Sequence, residues 1–124
     1  MQVRAIVTAD VHAVREGFNV CPEIMIPLVC TNHEIDMITP TIMSAYHTTI
    51  EDLDMRENGK VTGETDRLRK CIDLKIGTML ETPRSCIRAQ TIAASKYISF
   101  ASFGTNDLTA LVFGKMDVIR ILKY

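Results

Sequence analysis

The chain has 124 residues, about one domain's length, with 47% apolar and 23% charged residues. That is the balance of a globular domain rather than of a disordered tail. Lys and Arg number 14 and Asp and Glu 15, a formal charge of −1, so no basic excess exists to grip a phosphate backbone and nucleic acid is a disfavoured partner.

Val3, Ile6, Val7, Val11 and Val14 recur at helical spacing, so an amphipathic helix is expected over residues 3–15, with Gly17 as its stop. The run from Pro22 to Val29 is short, nearly continuous and β-branched. It reads as a strand buried on both faces, with Pro27 marking its end or a bulge because proline removes a ladder donor. Thr31 or Asn32 caps a helix carrying Ile35, Ile38, Ile42 and Tyr46, and Pro40 is expected to kink or restart it. Residues 51–70 are the most polar part of the chain and read as a solvated loop or a frayed helix end. A second strand is expected from Ile72 to Glu81, stopped by Pro83, which also opens a helix over residues 84–96. Residues 97–103 read as a third strand, Gly104 to Asp107 as a turn, and Leu108 to Gly114 as the start of another helix.

The resulting order is α-β-α-β-α-β-α. Strands alternating with helices imply a parallel sheet with right-handed crossovers, hence an α/β fold. A (β/α)8 barrel takes roughly 200 residues or more, so the chain has the length of about half a barrel. We expect a single domain, residues 1–124, with a polar insertion at about 51–70.

The longest apolar run, Ile24 to Cys30, is seven residues, far below the roughly 18 that span a bilayer. The first ten residues lack a charged leader and a cleavage site, so no secretory signal, no membrane partner and a cytoplasmic location are expected. Cys21, Cys30, Cys71 and Cys86 form no Cys-x-x-Cys pair and have no histidine at zinc spacing. Free buried or half-buried thiols are expected. Met25, Met43, Met79 and Met116 suit core filling.

In a parallel sheet every strand ends on the same edge, and ligand sites gather there. Two carboxylates fall at such ends: Glu81 closes the second strand and Asp107 follows the third, 26 residues later, about one βα unit. On adjacent strands, roughly 4.8 Å apart, both can reach one point, and two carboxylates with substrate oxygens and water suit Mg2+. Gly104 allows a close backbone approach to a ligand, and the N–H groups of Thr105 and Asn106 suit an anion at a helix start. Plainer readings fit the same residues: Asn106 or Asp107 as a helix cap, Glu81 as a solvated turn residue, Gly104 as a turn glycine, Arg84 and Arg88 as surface charges.

Four longer strings are more specific than their parts. Met1-Gln2-Val3-Arg4-Ala5-Ile6, Pro22-Glu23-Ile24-Met25-Ile26-Pro27-Leu28-Val29, Lys75-Ile76-Gly77-Thr78-Met79-Leu80-Glu81-Thr82-Pro83-Arg84 and Ser102-Phe103-Gly104-Thr105-Asn106-Asp107-Leu108-Thr109 occur in that order. Together they resemble the phosphoenolpyruvate-binding C-terminal barrel of the pyruvate, phosphate dikinase family, whose relatives are phosphoenolpyruvate synthase and enzyme I of the sugar phosphotransferase system. The wording is most like the dikinase.

The resemblance implies a partial TIM-type barrel of about three strands. It implies Mg2+ held by Glu81 and Asp107, and a phosphoenolpyruvate or pyruvate pocket lined by those two with Gly104, Thr105 and Asn106. The family reaction converts ATP, phosphate and pyruvate to AMP, diphosphate and phosphoenolpyruvate through a phosphohistidine on a swivelling domain. The departures are equally specific. The phosphohistidine and nucleotide-binding domains and the phosphate-clamping arginines are expected upstream of this segment, and the acid/base cysteine beyond its end. Cys86 is not that cysteine. Ala110 stands where a glutamine is usual, the stretch between Val29 and Lys75 is longer than usual, and Lys115 to Tyr124 departs from the family's wording. By this reading the chain is a truncated dikinase segment, without turnover alone, whose further partner is the remainder of the enzyme or a second copy. The competing reading is a remnant or interaction module without chemistry, or a segment of one of the relatives.

Overall fold

The computed structural model describes residues 1–114, in the order α1 (Gln2–Arg15), β1 (Glu23–Ile26), α2 (Asn32–Asn58), α3 (Gly63–Cys71), β2 (Lys75–Leu80), α4 (Pro83–Ile87), α5 (Ala89–Ala93), β3 (Phe100–Phe103) and α6 (Thr105–Phe113). It is an α/β fold whose three strands lie in the order β1-β2-β3, parallel and alternating with helices, as in part of a (β/α)8 barrel. The chain forms two compact units. One holds Met1–Ile24 and Ile38–Lys75; the other holds Met25–Met37 and, of the described residues, 76–114.

The first unit is helical. Val7, Val11 and Val14 project from one face of α1 and pack with Tyr46 and Ile50 of α2, Leu68 of α3, and Ile72. Ile6, expected on this face, is exposed instead, because it lies to the side of the valine stripe. The helix ends as its glycine predicts: Gly17 takes φ 93°, the Phe18 N–H reaches the Ala13 carbonyl at 3.0 Å, and the Gly17 N–H reaches that of Val14 at 3.1 Å. This double closure satisfies carbonyls that a helix end leaves without partners.

Two expectations for α2 are revised. Of the kink or restart expected at Pro40, the restart does not occur: the helix runs 27 residues through it. Proline cannot donate to the carbonyl four residues back, but that carbonyl belongs to Asp36, and both residues face solvent, where water can replace the lost bond. Residues 51–58, expected as loop or frayed end, form the last turns of the same helix, and residues 63–70 lie in α3.

Polar side chains order that region by bonding inward. Asp54 is fully buried. Its carboxylate accepts from the Thr65 hydroxyl at 2.6 Å, the Thr62 N–H at 2.5 Å, the Asn58 amide at 2.7 Å and the Thr62 hydroxyl at 2.9 Å. Thr62 in turn caps α3 by accepting from the Glu64 N–H. Arg15 pairs with Glu57 and Glu64, and Arg69 with Glu51, across the same helices.

These bonds, the Thr65 hydroxyl first and the Thr62 amide next, hold the Asp54 carboxyl well below the usual carboxylate range. A depressed native value contributes stability that is complete once the unfolded aspartate ionises, above about pH 4, and that is lost as pH falls towards the native value. Chemical-denaturation midpoints measured between neutral and strongly acid pH are therefore expected to fall steeply below about pH 4. In Asp54→Asn that acid limb flattens and the neutral-pH midpoint is lower. Superimposable acid limbs would remove Asp54 from the account.

The second unit carries the sheet edge. β1 is an edge strand and only its Ile26 is buried, so the expectation of a strand covered on both faces is not met. It ends at Ile26, as Pro27 requires. β2 pairs with β3 in the register Gly77–Phe100, Thr78–Ala101, Met79–Ser102 and Leu80–Phe103. The predicted helix 84–96 is two short helices, α4 and α5, which meet at Arg88. Thr82 and Ser85 form a reciprocal capping box at the start of α4, with Pro83 as its first residue. The third strand starts at Phe100 rather than Tyr97. α6 starts at Thr105 rather than Leu108, so the expected turn is its first turn.

All four cysteines are free; Cys30 and Cys86 are half-buried, whereas Cys21, between α1 and β1, and Cys71, at the end of α3, are exposed. Met43 packs on the helical core, Met79 is half-buried, Met25 is exposed, and Met116 lies outside the described residues. Among the described residues no helix is long and apolar enough to cross a membrane.

Candidate functional site

Three strand ends meet at one carboxylate. Glu81 directly follows β2 and is 2% exposed, so it is not the solvated turn residue its neighbour Pro83 allowed. Its Oε1 accepts a 2.7 Å hydrogen bond from the backbone N–H of Leu28, two residues past the end of β1. The β2–β3 register, continued one residue beyond Leu80–Phe103, sets Glu81 beside Gly104 at the end of β3. A Cβ on Gly104 would collide with Glu81 Oε2 and come within 2.5 Å of Glu81 Cβ and 2.7 Å of Met79 Sδ. The φ of Gly104 is −90°, open to any residue, so glycine is demanded here by space and not by backbone conformation. The close approach expected of Gly104 is thus made to Glu81 itself.

Gly77 repeats the pattern four residues earlier, where the Phe100 ring fills the space its side chain would take. Both pairs, Gly77 with Phe100 and Glu81 with Gly104, are 23 residues apart and on one face of the sheet, since a parallel register keeps partners on the same side.

The β1 end is stitched to β2 by side chains. The Thr78 hydroxyl donates to the Ile26 carbonyl at 3.0 Å and the Thr82 hydroxyl to the Val29 carbonyl at 3.2 Å. They flank Pro27 and Leu28, where the backbone turns out of the ladder. Leu28 has φ 55°, in the left-handed region, and its side chain is 57% exposed. Sequence reasoning identified Glu81 but missed its partner; a backbone amide leaves no signal beyond the proline that precedes it.

Gly104 is the N-cap of α6, and Thr105, Asn106 and Asp107 are its first three residues. No side chain caps the helix, so neither Asn106 nor Asp107 has the capping role open to it. Asp107 is exposed in the first turn, where the helix dipole favours a carboxylate. The structure brings Glu81 and Gly104 into contact and sets Thr105, Asn106 and Asp107 on the turn that starts there.

A second polar cluster lies at the start of α2. The Glu34 carboxylate accepts from the backbone N–H groups of Cys30 at 2.7 Å and Thr31 at 2.8 Å, which hold its carboxyl below the usual range. This is the return half of a capping box, with Thr31 at the cap. Arg84 and Arg88 are exposed, as surface charges are.

Carboxylate oxygens are the ligand type that a hard divalent cation takes, and two carboxylates belong to this edge, although the described residues hold no cluster of three or more His, Cys, Asp or Glu side chains. Glu81 has one oxygen fixed by Leu28 and the other turned to the glycine gap, and Asp107 supplies a further carboxylate not spent on a cap.

Comparison with known proteins matches residues 1–117 to the family described as PEP-utilising enzyme, PEP-binding domain. Among similar proteins, pyruvate, phosphate dikinase of Rhizobium meliloti is 41% identical over 115 residues, 92% of this chain and 11% of that protein. The enzyme of the same name from Giardia intestinalis is 39% identical over 114 residues, 92% of this chain and 11% of that protein. The chloroplastic one from Flaveria pringlei is 38% identical over 125 residues, 99% of this chain and 11% of that protein. The chain thus spans about a tenth of the length of these relatives, and the match covers nearly all of it. With its parallel strands ending at a shared carboxyl edge, the chain belongs to the PEP-binding domain family of the PEP-utilising enzymes.

Proposed function

We propose that this chain binds phosphoenolpyruvate or pyruvate as part of a pyruvate, phosphate dikinase, at a Mg2+ site formed by Glu81 and Asp107. The observation that carries the reading is the contact between the buried Glu81 carboxylate and Gly104, which sets that carboxylate at the N-terminus of α6. Mg2+ held there would neutralise charge on the substrate's carboxylate, enolate and phosphoryl oxygens. The chain's own parts orient the ligand: Glu81 and Asp107 hold the ion, and the N–H groups of Thr105 and Asn106, free at a helix start, suit an anionic oxygen.

Isothermal titration of the full chain with phosphoenolpyruvate, with and without Mg2+, tests this. Binding that requires Mg2+ supports the reading; equal binding with Mg2+ replaced by Na+ at matched ionic strength would sink it.

A second reading, a segment that associates with further polypeptide, is favoured by one observation. No residue of α6 is buried, and Leu111, Val112, Phe113 and Phe103 are each more than half exposed. Soluble monomers seldom leave such contiguous apolar surface uncovered. Sedimentation showing a concentration-independent monomer, both alone and mixed with the remaining segment of a dikinase, would remove it.

A further inference from the structure

Resting on the metal-site reading above, we infer that Leu28 is a positioning residue for Glu81, acting through its backbone N–H and its left-handed backbone rather than through its side chain. The 2.7 Å bond from the Leu28 N–H fixes Oε1, which leaves Oε2 as the oxygen facing the α6 turn. A carboxylate ligand held by an outer hydrogen bond keeps one orientation, and losing such a partner typically lowers metal affinity about 10- to 100-fold.

The backbone conformation is what aims the donor. Leu28 follows Pro27 with φ 55°, a left-handed region that is sterically unfavourable for an L-residue and rare outside glycine and asparagine. The flanking Thr78 and Thr82 hydroxyls hold the carbonyls of Ile26 and Val29, so the strained residue is pinned on both sides. Strain of this kind persists only where surrounding structure fixes it, and it concentrates at functional sites. The Leu28 side chain is mostly exposed, so the unusual backbone is not explained by burial of the leucine.

The test compares Leu28→Ile, Leu28→Gly and wild type in the full chain. Isoleucine is β-branched and resists the left-handed region; glycine enters it freely and keeps the N–H. Mg2+ affinity by calorimetry is expected to fall about tenfold or more in Leu28→Ile and to stay within about twofold of wild type in Leu28→Gly. Equal losses in both variants would place the role in the side chain and overturn the inference, as would unchanged affinity in Leu28→Ile.

Amide exchange followed by NMR supplies a readout that does not need the metal and survives a poorly folded isoleucine variant. The Leu28 amide is expected to exchange at least about tenfold faster in Glu81→Ala than in wild type, while neighbouring β2 amides keep their protection. Unchanged exchange at Leu28 would overturn the inference by itself. If Glu81→Gln left Mg2+ affinity untouched while the exchange result held, the metal-site reading would fail and the Leu28–Glu81 bond would stand.

Discussion

Replacing Gly104 by alanine is expected to remove Mg2+-dependent phosphoenolpyruvate binding while leaving a folded chain. The added Cβ collides with Glu81 Oε2 and lies 2.5 Å from Glu81 Cβ and 2.7 Å from Met79 Sδ. Met79 is half-buried and can swing away, but Glu81 Cβ is tied to the end of β2 and its Oε1 to Leu28. The side chain must therefore rotate out of its bond or push the start of α6 aside. Overpacking of this kind typically costs about 1–3 kcal/mol, a shift in melting temperature of several degrees for a chain of this size. The larger effect is on binding, because either adjustment separates Glu81 from the α6 turn. A fall in affinity of about 10- to 100-fold is expected, the loss typical when a metal-ligating side chain loses the contacts that orient it. Calorimetry read beside a thermal melt separates the two effects. Wild-type affinity in Gly104→Ala would show that the Glu81–Gly104 contact has no part in binding.

The second large effect is expected at Glu81, and it divides by substitution. Glutamine keeps an oxygen to accept from the Leu28 N–H, so Glu81→Gln should fold with a stability change within about 1 kcal/mol. It removes the charge that a divalent cation requires, so Mg2+-dependent binding should fall about 100-fold or more. Alanine removes both functions. Glu81→Ala leaves the Leu28 amide without its acceptor at a part-buried site, at a cost of about 1 kcal/mol. Denaturation and calorimetry on both variants distinguish a carboxylate that binds from one that only staples strand ends. If glutamine binds as well as wild type and alanine merely unfolds, Glu81 is structural.

The parts of the fold legible in the sequence were those written in periodicity and punctuation. The valine stripe of α1, the Gly17 stop, the Pro27 strand end and the Thr82–Pro83 helix start depend on residues within one or two turns of each other. Errors came where distant parts or solvent decide. A proline makes a helix restart when the carbonyl it strands is buried, and the carbonyl that Pro40 strands belongs to solvent-facing Asp36. Residues 51–70 read as a loop because they are polar, but Asp54 accepts from four donors on three neighbouring residues, and polarity turned inward orders a segment rather than dissolving it.

At the site, the strand-end positions of Glu81 and Gly104 are legible in the sequence. Their contact did not follow from it, because one residue of register change would have sent Glu81 to the other face of the sheet. The Gly77–Phe100 pair, at the same 23-residue spacing as Glu81–Gly104, is the trace of that register in the sequence: small opposite large, twice, two pleat repeats apart. The Leu28 donor had no trace, since its identity as a leucine says nothing of where its amide points.

The proposed Mg2+-dependent site for phosphoenolpyruvate lies at the ends of these parallel strands. The most direct measurement is the thermal unfolding of the full chain in four conditions: alone, with Mg2+, with phosphoenolpyruvate, and with both. A ligand that binds only the native state raises the midpoint by mass action, by about 2.7 kcal/mol of stability at a hundred times its Kd. The account predicts one cooperative transition that rises by several degrees with both ligands, moves little with either alone, and does not respond in Asp107→Asn. A transition that stays in place with both ligands, or that rises equally in Asp107→Asn, would contradict it.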